Sequence, residues 1–262
     1  MQFDMIDYGL VSIITPAFNC ASFIGETIKS IQAQTYINWE LLITDDCSQD
    51  NSQEVIKSFA NKDPRIKLLT LEKNSGAGVA RNNSIKEAKG RYIAFCDSDD
   101  RWYPEKLEKQ LTYMNVKDCA MSHTSYMTCD EKDRITGIVI CRKKETLSSM
   151  CKDDKMGFLT VIYDTEKVGK VYMPELRKRQ DWALKLKVLN ICGEAWGMKE
   201  PLAYYRKRSD SISSNKRSLV KYNIAVYNEV LGWSKIKSNL FFYFRFMPTH
   251  LTKLLYLKYL NK

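Results

Sequence analysis

Leu10-Val11-Ser12-Ile13-Ile14-Thr15-Pro16 is a short apolar, β-branched run that a proline stops, and Phe23, Ile24, Thr27, Ile28 and Ile31 then recur at helical spacing as far as Gln34. Strand, turn, helix is the simplest account, and the unit repeats outward along the chain. Residues 40–44 are a second strand, 45–50 a polar turn, and Val55, Ile56 and Phe59 mark a helix whose cap is Asp50 or Ser52. Residues 66–71 are a third strand. Residues 73–78 form a turn carrying Gly76 and Gly78, residues 80–88 a helix stopped by Gly90, and residues 92–96 a fourth apolar run. Such alternation builds an α/β fold: a parallel, doubly wound sheet with helices on both faces.

Beyond Pro104 the pattern weakens. Residues 105–114 read as an amphipathic helix, 120–126 as a strand and 135–141 as an edge hairpin arm, whereas 146–173 has no clean period. A helical stripe returns over residues 179–189 through Trp182, Leu184, Leu186 and Leu189, headed by Gln180 and Asp181. No repeat or low-complexity linker intervenes, so the reading is one domain over residues 1–200 with a C-terminal appendage over 201–262.

With 262 residues, 44% hydrophobic and 27% charged, the chain has material for one large core and is not disordered throughout. No run approaches the roughly 18 apolar residues of a spanning helix; residues 240–244 are interrupted by Arg245. Asp4 and Asp7 stand where an export signal needs positive charge, so a cytoplasmic location is expected. The 8 cysteines contain no C-x-x-C pair and read as small core hydrophobes. His123 and His250 are too few for a histidine-rich zinc site and read as structural.

The net charge of +10 lies entirely in the last segment, where 12 Lys+Arg face only Asp210 and Glu229 and 12 of the 30 aromatics are found. Basic residues interleaved with aromatics suit an anionic surface, either nucleic acid or an acidic membrane leaflet. Ligands on an open parallel sheet bind beyond the carboxyl ends of its strands, which here means residues 16–19, Asp45 and Asp46, residues 74–81, and Asp97 to Asp100. Three carboxylates within Asp97-Ser98-Asp99-Asp100 repel one another unless something compensates. A helix cap explains one of them; a divalent cation, Mn2+ or Mg2+, explains the cluster. Such acid clusters would repel nucleic acid phosphates, so nucleic acid is not the expected partner and a non-enzymatic nucleic-acid-binding protein is the lesser alternative.

Four segments in order, Val11-Ser12-Ile13-Ile14-Thr15-Pro16-Ala17-Phe18-Asn19, Asp45-Asp46 with Ser48 and Asp50, Asn74-Ser75-Gly76 with Ala80-Arg81-Asn82, and Asp97-Ser98-Asp99-Asp100 with Trp102 and Pro104, resemble the family 2 glycosyltransferases. Gln180-Asp181-Trp182 is similar to that family's later acidic motif, with Gln180 where glutamate is usual. The resemblance implies a GT-A fold, a UDP-sugar donor, a divalent metal and an inverting single displacement. It implies backbone contacts from Pro16 and Ala17 along the nucleotide, Asp45 and Asp46 on uracil and ribose, and Arg81 near the nucleotide. Asp97 and Ser98 would meet the ribose or donor sugar, Asp99 with Asp100 the metal, and Asp181 would be the general base. Tyr205-Arg206 followed by Ser211-Ile212-Ser213 looks like a flap over the donor diphosphate. The residue 179–182 and 204–206 stretches resemble bacterial O-antigen and capsule transferases, which implies a hexose, glucose or galactose ahead of their N-acetyl forms, passed to a lipid-diphosphate-linked saccharide in surface polysaccharide synthesis. The expected place is the inner face of the cell membrane, with the basic tail on anionic lipid. An inactive sugar-nucleotide sensor would be expected to lack part of the acidic motif; Asp99, Asp100 and Asp181 are all present.

Overall fold

The computed structural model describes residues 6–208, 219–249 and 251–252. Strands β1 (Val11–Ala17), β2 (Trp39–Asp45), β3 (Ile66–Thr70) and β4 (Tyr92–Phe95) alternate with helices α1 (Ile24–Gln32), α2 (Ser52–Ala60) and α3 (Ala77–Glu87). β1 sits between β2 and β4, and β3, β2, β1 and β4 pair in parallel. Every residue of β1 and β2 is buried, as a strand covered on both faces requires. The two-residue period divides their side chains: Ile13, Leu41 and Ile43 join the core under α1 and α2, while Ile14, Leu42 and Phe95 join the core on the opposite face. Polar residues forced into these strands are paired, with Ser12 Oγ donating to Glu40 at 2.7 Å and Thr15 Oγ1 to the Cys96 carbonyl at 2.7 Å.

The sheet continues through β5 (Arg101–Trp102), α4 (Lys106–Lys117), β6 (Met121–Cys129), β7 (Ile135–Val139), β8 (Lys144–Thr146) and α5 (Leu147–Lys152). β9 (Ile162–Asp164), α6 (Thr165–Val168), α7 (Gln180–Cys192) and β10 (Glu194–Arg206) complete it in the order β3-β2-β1-β4-β9-β6-β10-β5, with β7 on β6 and β8 on β10. The parallel half carries the sequence pattern; the other half is mixed, because β9 runs antiparallel to both β4 and β6. The unperiodic residues 146–173 are short pieces, a 3-10 turn (Phe158–Thr160) among them, each too brief to show a period.

Three local expectations need correction. The position capping α2 is Asn51, although Asp50 accepts the Ser52 amide at 3.0 Å and so does the capping chemistry from one residue back. α3 begins at Ala77, so Gly78 lies inside the helix rather than in the preceding loop. Gly90 does not stop α3, which has already ended at Glu87; a Cβ there would come within 2.6 Å of the Leu10 carbonyl and the Ser12 amide, so its smallness lets the chain pass β1.

The described part of the last segment is docked on α7. Helices α8 (Leu219–Leu231) and α9 (Lys235–Phe241), with the π-helical turn Phe242–Phe246, place Tyr227 edge-on against Trp182 at 5.5 Å and Phe246 at 5.7 Å from the same ring. Tyr227, Phe242 and Phe246 are core; Ile236, Leu240, Tyr243 and Phe244 are exposed. The division between residues 200 and 201 falls within β10. Among the described residues no helix is long and apolar enough to cross a membrane. His250 lies outside the described residues.

His123, on β6, is a core residue whose ring nitrogens have no hydrogen-bond partner. Burial, reinforced by the charge of Lys185, lowers its pKa from 6.5 to about 4. The unfolded chain therefore binds a proton that the fold refuses, and stability present above pH 6.5 is lost as pH falls toward 4, by up to about 3 kcal/mol. His123→Phe is expected to flatten this part of the stability profile. Denaturant midpoints at pH 7 and pH 4.5 check it, and an equal acid loss in the variant would count against it.

Candidate active site

The carboxyl ends of β1, β2 and β4 and the N-termini of α3 and α7 meet along one edge of the parallel half. β1 ends at Ala17 beside Asp45 of β2, and the Asp46 amide donates to the Ala17 carbonyl at 2.8 Å. Pro16 does not stop the run as the sequence suggests: β1 continues through Pro16 and Ala17, both buried at the strand end. Asp45 is held by the Ser48 hydroxyl at 2.5 Å, the Ser48 amide at 3.0 Å and Gln53 Nε2 at 2.8 Å. Asp46 accepts the Ser75 and Gly76 amides at 2.6 and 2.7 Å. These two acids shape the loops, tying residues 74–76 at the head of α3 to the end of β2.

The turn after β4 separates its three carboxylates. Thr27 of α1 donates to the Ser98 and Asp100 carbonyls at 3.0 and 2.8 Å, so the turn is bolted to α1 through its backbone, Ser98 included. Asp97 is 31% exposed and Asp99 24%, both toward the site, and Asp97 meets Arg81 of α3 at 2.5 Å. Asp100 is buried and accepts the Arg206 amide at 3.0 Å. Its expected place beside a metal is therefore corrected: it faces inward and braces β10.

Arg206 is corrected for the same reason. Its guanidinium is buried and committed to the Asp99 carbonyl at 3.1 Å, Glu26 at 2.6 Å and Asp133 at 3.0 Å, which leaves it inside the fold rather than over a donor. Among the described residues, Arg208 also approaches this turn, with Nη1 3.6 Å from Asp99 Oδ2. Ser211 to Ser213, the rest of the expected flap, lie outside the described residues.

A divalent cation fits the open pair. Burial first, and the neighbouring Asp97 charge second, push the Asp99 carboxyl above its usual range, which is the mark of negative charge crowded without full compensation. Among the described residues no group of three or more His, Cys, Asp or Glu converges as a metal cage. One or two carboxylates with the remaining positions left to water and phosphate is how Mg2+ and related hard ions are ordinarily held beside nucleotides.

α7 brings Asp181 to this edge in its first turn. Arg179, in the left-handed conformation at φ 67°, is the N-cap position, so Asp181 is not capping the helix. Its side chain is 39% exposed, with Lys185 Nζ at 3.9 Å. Burial raises the Asp181 carboxyl, but Lys185, Arg81, the Trp182 amide and Arg179 together hold it below the ordinary carboxylate range. It is ionised at neutral pH and able to take a proton. Gln180 has a structural account too: a Cβ at Gly78 would lie 2.8 Å from its amide, and its Nε2 donates to the Leu176 carbonyl, which a glutamate could not do.

Arg81 joins the two halves, pairing with Asp97 on one side and acting on Asp181 on the other. Lys185, Asp154 and Arg208 are site residues that no motif marked. Lys185 stands four residues after Asp181 on one helix and was readable as an i,i+4 pair; Asp154 is hidden in the unperiodic stretch.

The sequence model described as glycosyl transferase family 2 matches residues 12–202. The chain is 41% identical over 222 residues to a putative teichuronic acid biosynthesis glycosyltransferase, TuaG, of Bacillus subtilis, covering 84% of this chain and 88% of that one. It is 40% identical over 215 residues to the UDP-Glc:alpha-D-GlcNAc-diphosphoundecaprenol beta-1,3-glucosyltransferase WfgD of Escherichia coli, covering 81% and 82%. The S. aureus TarS 1-349 structure in complex with UDP-GlcNAc superposes with a TM-score of 0.71 at 21% identity, over 92% of this chain and 72% of that one.

Proposed function

The chain belongs to glycosyl transferase family 2 and is a glycosyltransferase of GT-A fold, and on that premise we propose that it moves a hexose from a UDP-sugar to a lipid-diphosphate-linked saccharide by an inverting, metal-dependent single displacement. The observation that carries this reading is the meeting of α3 with both the turn after β4 and the head of α7: Arg81 pairs with Asp97, and Gly78 packs against Gln180, the neighbour of Asp181. The backbone of Pro16 and Ala17, the loops held by Asp45 and Asp46, and Ser98 form the nucleotide side. Asp97 would meet the ribose or donor sugar and Asp99 would hold Mn2+ or Mg2+, which when bound offsets the charge of the departing diphosphate. Asp181 takes the acceptor hydroxyl's proton as the new glycosidic bond forms. The β-glucosyltransferase relative with a diphosphoundecaprenol-linked GlcNAc acceptor supports glucose as donor and a polyprenyl diphosphate carrier in surface polysaccharide synthesis. A panel of UDP-sugars with a lipid diphosphate bearing N-acetylglucosamine, read by UDP release and product mass, tests it; no transfer from any of them would overturn it.

We further read the protein as peripheral at the cytoplasmic face of the membrane. Ile236, Leu240, Tyr243 and Phe244 fall at i, i+4, i+7 and i+8, exposed, with Lys235, Lys237 and Arg245 beside them, the pattern of an interfacial helix on anionic lipid. Cutting the chain after Gly232 would not test this, because it strips Phe242 and Phe246 from the core. Combined Ile236→Ser, Leu240→Ser and Phe244→Ser is expected to lower sedimentation with phosphatidylglycerol vesicles at least about tenfold while UDP binding is kept, each change forfeiting about 1 kcal/mol of interfacial burial. Undiminished sedimentation at low salt would overturn it.

A further inference from the structure

We propose that Lys185, locked in place by Asp154, is a positioning residue for Asp181, setting the charge of that carboxylate without bonding to it. The proposal rests on the reading of Asp181 as the base. Lys185 is 1% exposed, and its Nζ donates to Asp154 Oδ1 and Oδ2 at 2.7 and 2.9 Å and to the Met156 carbonyl at 2.8 Å. Those contacts use the three protons of an ammonium, so the 3.9 Å approach to Asp181 Oδ2 is charge without a formed hydrogen bond.

That arrangement suits a base. A lysine bonded directly to Asp181 would occupy a lone pair that an acceptor hydroxyl needs. A lysine without Asp154 would be a buried ammonium left unpaired each time Asp181 took a proton. With Asp154 always present, two carboxylates share one cation and the remaining negative charge resides on Asp181. The other charged groups acting on Asp181 are Arg81 from α3, already paired with Asp97, and Arg179 at the head of α7; Asp154 is the acid that opposes them. The first turn of α7 and the segment after α5 are thereby one unit, although 27 residues separate Asp154 from Asp181.

A merely structural role, pinning residues 153–156 to α7, gives the same contacts and different kinetics. Lys185→Met leaves Asp154 buried and unpaired; Lys185→Met with Asp154→Asn removes both charges and should restore the melting temperature and UDP binding toward the parent. We expect turnover not to return with them. The parent kcat/KM should stay flat into the acid range, because Asp181 is held below the ordinary carboxylate range, whereas the double variant should show its acid limb at higher pH than the parent. Activity that recovers along with the melting temperature, or a pH profile like the parent's, would overturn the proposal. If Lys185→Met alone fails to fold, the double variant decides. Asp181→Asn measured alongside separates the premises: an active Asp181→Asn refutes the base reading, while an inactive one beside an unshifted double variant refutes only the role of Lys185.

Discussion

Asp181→Asn is expected to cut turnover by roughly 100-fold or more while UDP and Mn2+ binding stay near the parent values. An acceptor hydroxyl is a poor nucleophile at neutral pH, and its proton must leave as the bond to the anomeric carbon forms. Asp181 is ionised there, because Lys185, Arg81 and Arg179 outweigh the burial that would protonate it. Asparagine keeps the shape and cannot accept the proton. The loss should fall on kcat rather than on donor affinity, since Asp181 lies on α7 and the nucleotide-side acids on the ends of β2 and β4. The N-cap position is Arg179, so the helix loses only the first-turn charge of Asp181, a small effect that a melting temperature measured alongside will register. Transfer at close to the parent rate would remove Asp181 from the reaction. Asp164 could not replace it: that residue is buried against Arg91 and caps α6.

What the sequence revealed of this site follows the physics of each half. β1, β2 and β4 are covered on both faces, so their apolar runs are continuous, and each is followed by polar residues that the fold places along one edge. The strand ends were therefore legible, as was α7, whose apolar stripe announces the helix that carries Asp181. Asp154 was not legible, because it lies between α5 and a 3-10 turn in pieces of six and three residues, too short for a period. Nor does sequence tell an inward acid from an outward one within a turn. Asp97, Ser98, Asp99 and Asp100 read as one cluster, whereas in the fold the Thr27 hydroxyl holds the Ser98 and Asp100 carbonyls and the Asp100 carboxylate turns inward to the Arg206 amide. Sequence is equally silent on Arg206, whose place on β10 next to Asp100 makes it a buried strut, while Arg208, two residues on, approaches the Asp99 carboxylate.

Asp99→Ala should abolish turnover and with it the metal dependence of UDP binding. The charge arithmetic of the turn makes the reason specific. Asp97 already has Arg81 at 2.5 Å, whereas Asp99 meets Arg208 only at 3.6 Å and is pushed up by burial and by Asp97. It is the under-compensated carboxylate of the pair and hence the one on which a divalent cation gains most. The same fact predicts that the variant folds well: removing a half-buried carboxylate that Asp97 repels costs the fold little, and the Asp99 carbonyl that accepts from Arg206 survives in alanine. A melting temperature at or above the parent's, with turnover lost and UDP binding indifferent to added Mn2+ or to chelator, is the expected set. Loss of activity with a fall in melting temperature would instead mean a folding defect. Full activity of the parent in chelator would mean that Arg81 and Arg208 alone offset the diphosphate, and the cation would have no part in the reaction.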